Sequence, residues 1–178
     1  LFLYLDNSLI KKTTGNSFDT TITATGAILH TLVAIAKKDT ESVSDTCWYT
    51  IPGVTADVAM PEGIQDGITY LADDSVAFVL YAPGKQHVYV LGDFNIWLPA
   101  DSYQMKRDGN RFWITFGGLI PGKEYACQYL IDGYLLIADP YSEKILDPDN
   151  DKDIPATVYP NLLSYPATKT QQIAGVIQ

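Results

Sequence analysis

Few residues in this chain are arranged for proton transfer or metal binding. Its two histidines, His30 and His87, each open an alternating apolar run, His30 after Gly26 and His87 after the turn Pro83-Gly84. A structural role is expected for both, because no HExxH helix, Gly-x-Ser-x-Gly elbow or phosphate-binding loop surrounds them. Asp147, Asp149, Asp151 and Asp153 alternate as the carboxylates of a calcium loop do. Such a loop also needs Gly at its sixth position and Glu at its twelfth, where this chain has Lys152 and Val158. The run is therefore expected to be a solvated acidic turn, with no metal and no cofactor. Cys47 and Cys127 lie in separate strand-like runs without metal or redox spacing, and both are expected to be buried free thiols. What stands out instead is an aromatic side chain in a turn. Trp97 follows a strand-like run in Phe94-Asn95-Ile96-Trp97-Leu98-Pro99, with the amide of Asn95 beside it. Flat ring faces near a few polar groups suit a ligand that has both apolar faces and hydroxyls.

The elements that must position these residues have a period of two. Alternation runs through Ser17 to Thr25, His30 to Lys37, Thr46 to Ile51, Val76 to Ala82, Val88 to Asp93, Arg111 to Phe116 and Glu124 to Asp132, mostly bounded by Gly, Pro, Asn or Asp. That is the pattern of an all-β chain. In Arg111 to Phe116, Trp113 must face opposite to Phe112, Ile114 and Phe116, so one set is core and the other packs elsewhere. Trp48, between Cys47 and Tyr49, is expected in the core of the first domain. The stretch from Pro52 to Gly63 has two prolines, small residues and no pattern, as a linker has. It divides the chain into a domain over 1–58, a second over 61–153 and an extended tail over 154–178.

Composition narrows the partners. Apolar residues make up 47% of the 178 and charged ones 19%, with a net charge of −9. A packed core is feasible, whereas nucleic acid and anionic membranes call for a basic surface. No apolar run approaches the ~20 residues of a membrane-spanning helix. Leu1 falls inside an alternating run, Leu1-Phe2-Leu3-Tyr4-Leu5, as in a fragment excised from a longer protein.

From Val88 to Pro140 the chain resembles the family 48 carbohydrate-binding modules that precede the catalytic barrel in glycoside hydrolase family 13, the amylase, isoamylase and branching-enzyme group. The resemblance rests on Gly92-Asp93-Phe94-Asn95 with Trp97, and on Ile131-Asp132-Gly133 followed by an apolar run and Asp139-Pro140. Thr23-Ala24-Thr25-Gly26, with the runs at His30 and Cys47, is similar to the later strands of a bacterial immunoglobulin-like domain. The resemblance implies two tandem immunoglobulin-like β-sandwiches, the first incomplete. It implies α-glucan (starch, glycogen or maltooligosaccharide) contact through Trp97, Asn95 and Tyr134. Glucan-binding members commonly carry a second Trp just after the Asp-Gly turn, where this chain has Tyr134-Leu135-Leu136. The four family 13 barrel motifs are not found, and no carboxylate pair for glycoside cleavage can be assigned. The expected role is therefore a non-catalytic accessory region of a secreted, cell-surface or periplasmic bacterial enzyme, with the absent barrel as its partner. A spacer that binds no sugar and an accessory region of a secreted esterase are the alternatives.

Overall fold

Residues 1–23 and 29–178 are described in the computed structural model, and they divide into two compact units, Leu1–Gly53 and Val54–Gln178. Both are all-β, as the alternation predicts. The first unit contains one antiparallel sheet of β1 (Phe2–Leu5), β2 (Ser8–Lys12), β3 (Leu29–Lys38) and β4 (Glu41–Thr50), in the order β2-β1-β3-β4. The β1–β2 hairpin turns on Asp6 and Asn7, at φ 47° and 68°, a left-handed pair that short polar side chains tolerate. Asp6 also accepts the Thr31 amide and pairs with the His30 ring at 2.7 Å. His30 is buried and stacked on Tyr49, so its role in the fold is structural.

Three expectations fail in this unit. Trp48 is 65% exposed and Cys47 is exposed. The reason is that β4 is an edge strand of a lone sheet, and no second sheet of this unit faces it among the described residues. Residues 17–23 form no strand, and the rest of the expected strand, with Ala24, Thr25 and Gly26 of the immunoglobulin-like run, lies outside the described residues.

The second unit is a sandwich. One sheet has β5 (Gly67–Ala72), β6 (Ser75–Tyr81), β8 (Lys106–Asp108) and β9 (Arg111–Phe116) in the order β5-β6-β9-β8. In the other, β10 (Tyr125–Ile131) pairs on one side with β7 (Val88–Gly92). On its other side lie β11 (Leu135–Ile137) and β13 (Ala174–Ile177), with β12 (Ile145–Leu146) beyond β13. Alternate residues of each sheet meet in one core: Phe78, Leu80, Phe112 and Ile114 against Val88, Val90, Tyr129 and Ile177. Trp113 is turned to the outer face of its sheet, as the period of two requires, and is buried there with Ile64, Ala77 and Val79. Its indole donates to the Val58 carbonyl at 2.8 Å, and the Lys106 ammonium lies 4.5 Å from its ring.

The unit boundary differs from the sequence expectation. It falls after Gly53, because residues beyond it are bonded into the sandwich: Asp57 pairs with Arg107, and the Met60 amide donates to Asp108. The stretch 154–178 likewise does not run on as a tail. It returns as β13, since Ala174-Gly175-Val176-Ile177 can fill a ladder position beside β10 and carries Ile177 into the core.

Candidate functional site

The loop after β7 is built by the residues that made it recognisable. Gly92 is required because a Cβ there would lie 2.6 Å from the Ala126 carbonyl and 2.7 Å from the Phe94 ring. Phe94 closes the sandwich end against Tyr103, Phe116 and Tyr125. The Asn95 side chain is committed at both ends: its carbonyl accepts the Gly92 amide at 2.9 Å and its nitrogen donates to Val90 at 2.8 Å. These bonds hold Ile96 and Trp97 at φ 59° and 62°, a left-handed conformation costly for a β-branched and a bulky residue.

Trp97 is not on open display. It is 8% exposed, and its indole N–H donates to Asp93 at 2.8 Å. The other Asp93 oxygen accepts the Ala126 amide at 2.8 Å, so a single carboxylate ties the ring to β10. The sequence shows Asp93 only as the last residue of the alternating run Val88 to Asp93, with no site role. Its position four residues before an indole N–H was the available signal.

The turn after β10 is organised differently. Asp132 and Gly133 are left-handed, at φ 51° and 77°. Asp132 accepts the Gln86 and His87 amides at 2.8 and 3.0 Å, with Lys85 at 3.8 Å. Partial burial pushes its carboxyl up, but the two amides and Lys85 outweigh it and hold the group below the usual aspartate range. Tyr134 is 74% exposed, with the Lys85 ammonium 6.0 Å from its ring.

The backbone anchors of the two aromatic residues are far apart. Trp97 is bonded to Gly92, which faces Cys127, whereas Tyr134 is bonded to Ile131, which faces Val88. Four residues of strand separate these levels, about 14 Å. Between them on β10, the buried Gln128 gives its amide hydrogens to the Gln172 and Ile173 carbonyls, and its own carbonyl oxygen has no partner among the described residues. No pattern in the sequence marked that residue.

Among the described residues, no group of three or more His, Cys, Asp or Glu side chains is placed to hold a metal ion. The acidic turn satisfies itself: Asp147 accepts from the Asp149 amide and from Asn150, and Asp151 accepts the Asp147 amide. Cys127 is buried, as expected, which pushes its thiol well up and makes it inert.

Residues 66–142 match the family model described as carbohydrate-binding module 48 (isoamylase N-terminal domain). A 1,4-alpha-glucan branching enzyme GlgB of Rhodopseudomonas palustris (strain BisB5) is 31% identical over 98 residues, which are 55% of this chain and 13% of that protein. A second, from strain HaA2, is 42% identical over 57 residues, 32% of this chain and 7% of that protein. The chain thus spans a small part of the length of these relatives. Among solved structures, an apo pullulanase from Paenibacillus barengoltzii matches 49% of this chain and 14% of its own, at 24% identity and a TM-score of 0.37.

Proposed function

We propose that this chain, in which residues 66–142 are a family 48 carbohydrate-binding module, is the non-catalytic N-terminal accessory region of a secreted, starch- or glycogen-active family 13 enzyme. In this reading the second unit positions a catalytic barrel and makes weak contact with α-glucan. The observation that carries it is the family match itself, joined to relatives named as 1,4-alpha-glucan branching enzymes. Trp97, Asn95 and Tyr134 remain the proposed glucan residues, with unequal support. Tyr134 offers an exposed ring face, whereas Trp97 and Asn95 are held within their own loop.

A second reading has a specific observation in its favour. Trp97 is buried with its N–H bonded internally, and both ends of the Asn95 amide are consumed by the loop. A module whose recognition loop is closed in this way serves as a structural spacer. Titration of the chain with maltoheptaose, followed by calorimetry, separates the two. Saturable binding at millimolar or lower concentration is expected of the glucan-contacting module, and none at that concentration leaves the spacer.

A further inference from the structure

At one open side of the sandwich, the edge of β5 faces the β12–β13 edge of the other sheet, and the gap between them is a cavity of about 330 Å³. That is near the lower end of the range for small-molecule sites, about 300 Å³. Its walls include two tyrosines, Tyr70 on β5 and Tyr141 before β12, which are 55% and 62% exposed. The Tyr70 side chain and the Tyr141 backbone are each hydrogen-bonded. The Tyr70 hydroxyl accepts the Gln178 amide at 3.1 Å, and the Tyr141 amide donates to the buried Asp139 at 2.7 Å. Gly67 makes room for Tyr141: it sits at φ 97°, and a Cβ on it would lie 2.7 Å from the Tyr141 Cβ.

The polar lining is equally defined. Lys144 donates to Glu124 at 2.6 Å and to the Tyr159 hydroxyl at 2.8 Å, so that pair is neutralised inside the cavity. Glu143, exposed at the rim, has no side-chain hydrogen bond or ion pair among the described residues and can accept hydroxyl hydrogens. An anion is disfavoured by Glu143 and by the net charge of −9. A wholly apolar ligand would strand the carboxylates and Lys144. A neutral polyhydroxylated ring, with apolar faces for the tyrosines and hydroxyls for Glu143, matches each part.

We infer that this edge cavity is a second glucan-contact site, in which Tyr70 and Tyr141 stack on sugar rings and Glu143 accepts their hydroxyls. The inference rests on the α-glucan reading above. It is tested on the full 178-residue chain by maltoheptaose titration, recording backbone amide NMR shifts and affinity. The chain with both Tyr70→Ala and Tyr141→Ala is compared with one carrying Tyr70→Phe and Tyr141→Phe. Saturable shifts at Gly67, Tyr70, Glu143 and Lys144 are expected. Affinity at this site should fall about ten-fold or more in the alanine pair, the equivalent of a lost stacking ring, and be kept in the phenylalanine pair. The same shifts in a chain that binds equally well with both alanines overturn the stacking roles. Binding whose shifts are confined to the β7 and β10 loops overturns the edge site and leaves the glucan reading standing. No shifts anywhere at millimolar sugar overturn both.

Discussion

The loop after β7 and the turn after β10 each carry an aromatic residue past the end of a strand in the same sheet, and they treat it in opposite ways. In the first, an aspartate four residues earlier captures the indole N–H, and the ring is drawn down to 8% exposure. In the second, Asp132 spends both its strong hydrogen bonds on the backbone of residues 86 and 87, and Tyr134 is left 74% exposed. The difference is where the carboxylate points. Asp93 bonds the aromatic side chain as well as a backbone amide and so closes its loop, whereas Asp132 accepts backbone amides and leaves the Tyr134 ring exposed. The loop after β7 therefore holds its aromatic ring by an internal bond, and the turn after β10 has the available ring.

The sharpest way to break this contrast is to empty the closed loop. Trp97→Ala should cost about 3–4 kcal/mol of unfolding free energy, the scale of removing a buried aromatic. Urea denaturation followed by circular dichroism reads the loss. A cost below about 1 kcal/mol would mean that the ring is not part of the packing, and would return Trp97 to the list of open stacking surfaces.

A smaller effect comes from the open turn. The folded-state pKa of Asp132 is depressed, so its contribution to stability is complete above the ordinary aspartate value near 3.8 and is lost as pH falls through the lower folded value. Asp132→Asn keeps an oxygen to accept the Gln86 and His87 amides but loses the charge. It should cost about 1 kcal/mol at pH 7. Below the folded value, where the wild-type carboxyl is protonated too, that difference should vanish. Urea midpoints across pH 2–7 check this, and an unchanging difference at every pH would show that the charge is irrelevant to the turn.

Much of this architecture could be read from the chain, and the failures have identifiable physical causes. Arg111 to Phe116 is a strand with the predicted bounds, and Trp113 lies on the opposite face to Phe112, because an alternating run between turn residues leaves little choice. Trp48 was misplaced because a residue pattern says which face a side chain takes but not whether another layer covers that face. Residues 174–177 were missed as a strand because Ala-Gly-Val-Ile has no alternation. All four are buried, and such short segments look the same in a loop. At the candidate site, the identities of Asp93, Asn95 and Trp97 were visible, but their mutual bonding was not. Exposure was inferred from a turn-like context, and a four-residue hydrogen bond reversed it. The edge cavity was invisible for a different reason, since Tyr70, Tyr141 and Glu143 meet only when two sheets close on each other.

The weakest perturbation of stability is the most informative about function. Tyr134→Ala removes a ring that touches little in the folded chain beyond the distant Lys85 ammonium, so its effect on unfolding should stay within about 0.5 kcal/mol. If the open turn is a glucan surface, the same substitution should weaken maltoheptaose binding by about ten-fold, as losing a stacked ring does, and Tyr134→Phe should restore it. Calorimetry on the three proteins decides between the roles. Unchanged stability with weakened binding assigns the ring to the ligand, because a side chain that does nothing for the fold has no other way to alter affinity at its own position. Unchanged stability with unchanged binding removes Tyr134 from the glucan surface and, with Trp97 buried, leaves the spacer reading for this face of the sandwich.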